Sequence, residues 1–155
     1  MTKYSIILLF LLCVGTANAT EFKFSLLEER TSEIRYYVFD TNSDKLKKST
    51  KLSGKTIYSK GPFEIKKYKL FLGEIELAEA SEILFQGKTD DSWFLIIRDE
   101  YNSMSNPFRW LASFLGHPIQ VSKIQLLVVR NQKLITNKKI RKEPSSYHWY
   151  VKVFE

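Results

Sequence analysis

The stretch "IQVSKIQLLVVRNQKLI" (residues 119–135) decides the fold class of this 155-residue chain. Its aliphatic and β-branched residues predict one long strand, and Asn131-Gln132 predicts a tight turn that begins a return strand. A second stretch, "DSWFLIIRD" (91–99), is too short and too rich in β-branched residues for a helix, and it predicts a buried strand. Together the two stretches predict strands of a mainly antiparallel β fold.

The sequence on the N-terminal side of these two stretches predicts a hairpin. "EFKFSL" (21–26) alternates polar and apolar residues, as a half-buried strand does. "EIRYYVFD" (33–40) is aromatic and β-branched, so the two segments predict neighbouring antiparallel strands. The polar segment "TNSDKLKKSTKLSGK" (41–55) is rich in turn-forming residues and predicts an exposed loop after the hairpin.

The remaining strand signals are weaker. Short strand-like runs, "KTIYSKG" and "PFEIKKYKLFLG", occupy 55–73. The segment "EIELAEASEILF" (74–85) is ambiguous, and we expect a strand at its start and a helix or loop after it, interrupted by Gly87. The final run "YHWYVKVF" (147–154) predicts a strand with one shared face, formed by Tyr147, Trp149, Val151 and Val153.

One short helix is expected within "SNPFRWLASFLGHP" (105–118). Asn106 suits the N-cap, Pro107 the first helical position and Gly116 the C-terminal cap, which predicts a capped helix over 107–115. Its side chains are mostly apolar, and a helix this short is stable only when it packs against something apolar. We expect it to pack against the protein's own sheet; a membrane surface and a partner protein are the alternatives.

Residues 1–19 predict a secretory signal peptide, with Lys3, an apolar run and a small-x-small cleavage site at 17–19. The apolar run is shorter than the roughly 20 residues that a transmembrane helix needs. We therefore expect an exported protein, periplasmic or secreted, with no transmembrane segment in the mature chain. Residues 20–155 should form a single mainly β (α+β) domain, an antiparallel sandwich or partly open barrel with the one short helix.

The sequence offers little catalytic or metal-binding chemistry. The one cysteine, Cys13, lies in the predicted signal peptide, so the mature chain has neither a thiol nucleophile nor a cysteine-based zinc site. The two histidines, His117 and His148, lack metal-binding spacing, and nucleophile-elbow and phosphate-loop motifs are absent. We expect no catalytic residue, no metal and no cofactor.

Charge is distributed unevenly along the chain. Residues 20–73 contain 12 bases and 7 acids, residues 74–100 contain 2 and 8, and residues 101–155 contain 9 and 2. The segments "KLKKSTKLSGK" (45–55) and "NKKIRK" (137–142) either form a cationic surface for an anionic partner or are simply solvated faces. The candidate partner-binding residues are Lys47, Lys48, Lys51, Lys138, Lys139, Arg141, Lys142, Arg109 and Trp110.

These observations predict an exported binding protein that is not an enzyme. Its partner is expected to be an envelope or secreted protein, including the inhibitor and immunity types, or an anionic surface polymer; nucleic acid is not expected. One alternative is a small hydrolase of a cell-wall polymer, for which Asp90-Asp91 and Asp99-Glu100 supply carboxylates. Another is a carrier of an apolar ligand held between sheet and helix. The shape and lining of a cavity would discriminate among the three.

Overall fold

The computed structural model describes residues 21–52, 61–89, 91–102, 120–144 and 148–154, which form eleven β-strands and no helix. The strands are β1 (Glu21–Glu28), β2 (Ile34–Asp40), β3 (Lys45–Ser49), β4 (Phe63–Lys66), β5 (Lys69–Leu72), β6 (Ile75–Glu79), β7 (Glu82–Thr89), β8 (Ser92–Asn102), β9 (Gln120–Arg130), β10 (Lys133–Pro144) and β11 (Trp149–Phe154).

The strands form three antiparallel sheets. Sheet 1 has the order β11-β1-β2-β3, sheet 2 has the order β10-β9-β8-β7, and sheet 3 has the order β4-β5-β6. In sheet 1 the last strand of the chain pairs with the first, so that Phe24 lies opposite Val153 and Leu26 opposite Val151. The sheet therefore depends on residues from both ends of the sequence.

Sheets 1 and 2 pack face to face through a largely aromatic core. Successive side chains of a strand point to opposite faces, so every second residue of β1 points toward sheet 2. Phe22 stacks on Phe94 with ring centroids 4.5 Å apart, and Phe24 stacks on Tyr37 at 5.3 Å. Side chains of this size each stabilise the fold by about 2 kcal/mol when buried. The same cluster includes Leu26, Phe39, Phe85, Ile96, Ile124, Leu126, Val128, Trp149 and Val153.

Sheet 3 covers the opposite face of sheet 2. Phe63 and Leu70 of sheet 3 share a second buried cluster with Leu95, Ile97 and Leu127 of sheet 2. Strands β8 and β9 are thus buried on both faces, which explains why their central sequences are apolar at nearly every position instead of alternating. Sheet 2 is the middle layer of a three-layer arrangement.

Two of the two-residue hairpin turns have positive φ at both turn positions. Asn131 and Gln132 join β9 to β10 with φ angles of 51° and 60°, and Lys67 and Tyr68 join β4 to β5 with 50° and 62°. Positive φ at both turn positions is typical of the turn type whose twist matches that of the flanking strands. The tight turn predicted at Asn131-Gln132 is confirmed.

The predicted antiparallel, mainly β architecture is confirmed, and the segments 21–26, 33–40 and 91–99 form the expected strands. The helix predicted over 107–115 and the signal peptide predicted over 1–19 lie outside the described residues. Within those residues, no helix is long and apolar enough to span a membrane.

Two local predictions are wrong. The segment 41–55 is not simply a loop, because it contains β3, where Leu46 packs on the core while Lys45 and Lys47 remain exposed. In the segment 74–85, the strand expected at the start is confirmed as β6, but the helix or loop expected after it is the start of β7, joined to β6 by two residues, and Gly87 lies inside β7. In both segments, pairing with a neighbouring strand overrides the local preference of polar or helix-forming residues.

Candidate functional site

The two basic segments of the sequence, which include β3 and β10, meet at one side of the molecule. Asp44, in the turn before β3, accepts a hydrogen bond from the Thr136 hydroxyl at 2.8 Å and lies 2.9 Å from Lys138 Nζ. The hydrogen bonds from Lys138 and then Thr136 lower the pKa of Asp44. Asp44 therefore ties the edge strand of sheet 1 to the edge strand of sheet 2.

The register divides the predicted cationic residues between different faces. Residues that pair directly across strands share a face, so Lys48, opposite Tyr37, belongs to the face of sheet 1 that meets sheet 2. On the same reasoning Lys138 and Arg141 belong to the face of sheet 2 that meets sheet 1, because they lie opposite the core residues Leu126 and Ile124.

The other predicted partner-binding residues do not lie on the same faces as Lys48, Lys138 and Arg141. Lys47 lies on the outer face of sheet 1, and Lys139 and Lys142 lie on the face of β10 turned away from sheet 1. Lys51 follows β3 and is exposed. Arg109 and Trp110 lie outside the described residues. The segments thus supply a small set of inward-facing cations, Lys48, Lys138 and Arg141, and several scattered lysines.

An open depression of about 340 Å³ lies at the end of the β2–β3 pair, and its lining is Ile34, Arg35, Tyr36, Lys48, Ser49 and Thr50. Arg35 donates a hydrogen bond through Nε to Glu33 at 2.5 Å. That bond raises the pKa of Arg35 and keeps its guanidinium charged. Among the described residues, no carboxylate lies within ion-pair distance of Lys48. The depression therefore presents one ammonium group that is not neutralised locally.

Arg141 occupies the interior between sheets 1 and 2 because of a β-bulge. The register of β10 shifts between Lys139 and Arg141, which leaves Ile140 without a partner and turns Arg141 toward sheet 1. One terminal nitrogen of the guanidinium donates a hydrogen bond to Glu143, and the guanidinium carbon lies 4.6 Å from the centroid of the Trp149 ring. The side chain is only 12% exposed.

Tyr37 completes this polar end of the interface between sheets 1 and 2. Burial raises the pKa of its hydroxyl, while the positive charges of Arg141 and Arg35 oppose that shift. Arg141 Nη1 and Trp149 Nε1 are buried and donate no hydrogen bond, and the Tyr37 hydroxyl, with Arg35 as a donor beside it, has no acceptor for its own proton. Because buried polar atoms in native proteins are usually satisfied, each of these three atoms needs an explanation.

The turn between β1 and β2 is fixed by Glu28, which is 2% exposed. Its carboxylate accepts hydrogen bonds from the Thr31 hydroxyl at 2.5 Å and from the backbone N–H groups of Thr31 and Arg30 at 2.7 and 3.0 Å. The Thr31 hydroxyl makes the largest contribution to lowering the pKa of Glu28. The turn positions the start of β2, and with it Arg35, relative to the depression.

The acid pairs of the sequence do not converge. Asp99 and Glu100 are successive residues of β8 and therefore point to opposite faces. Burial raises the pKa of Asp99, whose Oδ2 lies 3.9 Å from Lys123 Nζ. Asp91 lies 3.4 Å from Arg130 Nε, and Asp90 is outside the described residues. Within the described residues, no group of three or more potential ligands could hold a metal ion.

Several residues of this site were not predicted from the sequence, among them Arg35, Tyr37, Glu143 and Trp149. One signal was present, because the alternation of "IRYYVF" places Arg35 on the same face of β2 as Tyr37 and Phe39. A cation on an otherwise apolar strand face is unusual unless it is paired or functional. The inward turn of Arg141 had no such signal, since it depends on the bulge.

Comparison of this chain with protein-family models, with curated proteins and with solved structures gave no match. The function is therefore argued from the geometry and charge of the site.

Proposed function

We propose that this protein is an exported, non-catalytic binding protein whose depression at the end of the β2–β3 pair receives an anionic group of its partner. The partner is an envelope or secreted protein with an acidic surface, or an anionic surface polymer. The observation that carries the proposal is the lining of the depression, which combines Arg35 and Lys48 with hydroxyl groups and contains no carboxylate.

The two alternatives have less support from the same depression. A glycoside hydrolase needs two carboxyl groups at a set separation across its cleft, and Asp99 and Glu100 lie on opposite faces of β8. A carrier of an apolar ligand needs a cavity lined mainly by apolar side chains. An open, cationic depression favours recognition of a charged group at the surface.

The lysines also have an explanation that involves no partner. Strands β3 and β10 are edge strands of their sheets, and lysines and bulges on edge strands hinder pairing with another chain. This explanation suits Lys47 and Lys139, which are exposed. It does not explain the inward position of Arg141 or the cationic lining of the depression.

The proposal is tested by measuring binding to two immobilised polyanions, poly-glutamate and poly-galacturonate, which represent an acidic protein surface and an acidic polymer. We expect the wild-type protein to bind at least one of them and to bind less tightly as salt is added, because salt screens exposed charges. Lys48→Glu should weaken binding at least severalfold, since it reverses the charge in the depression.

Lys133→Glu is the matched control. Lys133 is exposed at the other end of β10, so this variant changes the net charge equally without altering the depression. If Lys48→Glu and Lys133→Glu reduce binding to the same extent, recognition depends on overall charge and the depression is not the binding site. If neither polyanion binds at low salt, the proposed anionic partner is wrong.

A further inference from the structure

The polar end of the interface between sheets 1 and 2 contains buried hydrogen-bond donors with no acceptor. Arg141 Nη1 and Trp149 Nε1 are shielded from solvent and donate no hydrogen bond, and the Tyr37 hydroxyl, which has Arg35 beside it as a donor, has no acceptor for its own proton. Tyr37 is 3% exposed and Trp149 is 5% exposed. A donor that loses its water on folding and gains no acceptor lowers stability. These three donors therefore need an acceptor to be fully satisfied.

The guanidinium of Arg141 connects the three groups. Its face lies against the ring of Trp149, with 4.6 Å between the guanidinium carbon and the ring centroid. Its charge acts on the hydroxyl of Tyr37. Glu143 occupies only one of its terminal nitrogens, Nη2. The other terminal nitrogen, Nη1, is still able to donate to a ligand.

The chemistry of the donors selects the kind of ligand. The guanidinium and indole N–H groups can only donate, and the tyrosine hydroxyl can donate as well. A water molecule accepts about two hydrogen bonds, whereas an oxyanion accepts from several donors at once. The positive charges of Arg141 and Arg35 outweigh the negative charge of Glu33 at the Tyr37 hydroxyl, which also favours an anion.

We propose that Tyr37, Arg141 and Trp149 form an internal site for one small oxyanion, a carboxylate or phosphate group, between sheets 1 and 2. This site differs from the surface depression, which is centred on Lys48, and so it goes beyond the proposed function. The two sites share only the influence of Arg35, which lines the depression and acts on the Tyr37 hydroxyl.

The test is a titration of the purified protein with sodium phosphate and, separately, with sodium acetate, at constant ionic strength maintained with sodium chloride. Binding is followed by calorimetry and by the rise in melting temperature. We expect saturable binding of one anion per chain. Tyr37→Phe should weaken it about tenfold, because one hydrogen bond to a charged group is lost while the ring that stacks on Phe24 is kept.

Tyr150→Phe is the matched control, since Tyr150 is 56% exposed, follows Trp149 on the opposite face of β11 and should leave the affinity unchanged. Trp149→Phe is a second variant that removes another donor and should also weaken binding. The proposal is overturned if neither anion binds saturably, or if Tyr37→Phe binds as tightly as the wild type. Loss of phosphate binding in Lys48→Glu but not in Tyr37→Phe would place the anion in the depression and likewise overturn the internal site.

Discussion

The two ends of the interface between sheets 1 and 2 are built in opposite ways. At the aromatic end, Phe22 contacts the rings of Phe85 and Phe94 with centroids 5.9 and 4.5 Å apart. At the polar end, Arg141 and Tyr37 bring a guanidinium and a hydroxyl into the same interior, and each carries a donor without an acceptor. An apolar residue would pack at the polar end at less cost. The difference teaches that the aromatic end provides stability, whereas the polar end is the part of the interface for which we propose recognition of an anion.

The largest effect is expected at the aromatic end. Phe94→Ala should lower the free energy of unfolding by about 3 to 5 kcal/mol, because it removes a buried ring and leaves a cavity between the two sheets. Denaturant unfolding monitored by circular dichroism measures the loss. Ile135→Ala is the control, since Ile135 is 56% exposed and should change stability by less than about 0.5 kcal/mol. A similar loss in both variants would contradict the assignment of the aromatic end as the source of stability.

A smaller effect is expected at the polar end. Arg141→Met should lower the free energy of unfolding by about 1 to 3 kcal/mol, because Glu143 loses the guanidinium that pairs with it. Adding Glu143→Gln should recover much of this loss, because the unpaired carboxylate is removed. Unfolding of the two single variants and the double variant forms a double-mutant cycle. An additive result would mean that the pair does not act as a unit.

A further effect at the polar end depends on pH. The pKa of Glu28 is lowered below its ordinary value of 4.5, so its contribution to stability is present above that pH and is lost as the pH falls through the lower, folded-state pKa. Glu28→Gln should therefore be less stable than the wild type at pH 7, and the difference should shrink on acidification. Melting temperatures from pH 7 to pH 2.5 measure the trend. If the difference does not vary with pH, the ionised carboxylate of Glu28 is not the cause of the lower stability of the variant.

The smallest effect on stability is expected at the lysines of the two edge strands. Lys47→Thr combined with Lys139→Thr should change the free energy of unfolding by less than about 0.5 kcal/mol, because both side chains are exposed. If these lysines protect the edges of the sheets, the variant should self-associate in analytical ultracentrifugation at concentrations where the wild type does not. Lys67→Asn, in the turn between β4 and β5, is the control, because asparagine tolerates the positive φ of this position. If the double variant stays monomeric, protection of the sheet edges does not explain these lysines, and partner binding is the explanation that is left.

The central strands were predictable because their sequences have no competing interpretation. The apolar run of β8 and the long β9 with its Asn131-Gln132 turn are too β-branched for helices, and their burial on both faces agrees with that composition. The strand at the start of the segment 74–85 was expected, but its second half was predicted wrongly, because Ala, Glu and Leu favour helix in isolation whereas pairing of β7 with β8 decides its structure. Such pairing cannot be recognised from the local composition of a segment.

The site was predicted only in part for a related reason. The basic segments 45–55 and 137–142 do meet, through the contact of Asp44 with Lys138, but which lysines face the interior depends on strand register. A shift of one residue moves a side chain to the other face of a sheet. No composition or spacing rule reveals the register shift next to Arg141, so neither its partner Glu143 nor its contact with Trp149 could be foreseen.

The bulge at Ile140 also lets β10 change in length by one residue without moving the polar end. A bulge places two residues of one strand opposite one residue of its neighbour. Deletion of the single codon for Ile140 would remove the extra residue, and Arg141 and Glu143 would keep their places opposite Ile124 and Ser122, on the side of sheet 1. A three-nucleotide deletion at this point of the gene is therefore expected to straighten β10 and to leave the interior cation of this protein where it is.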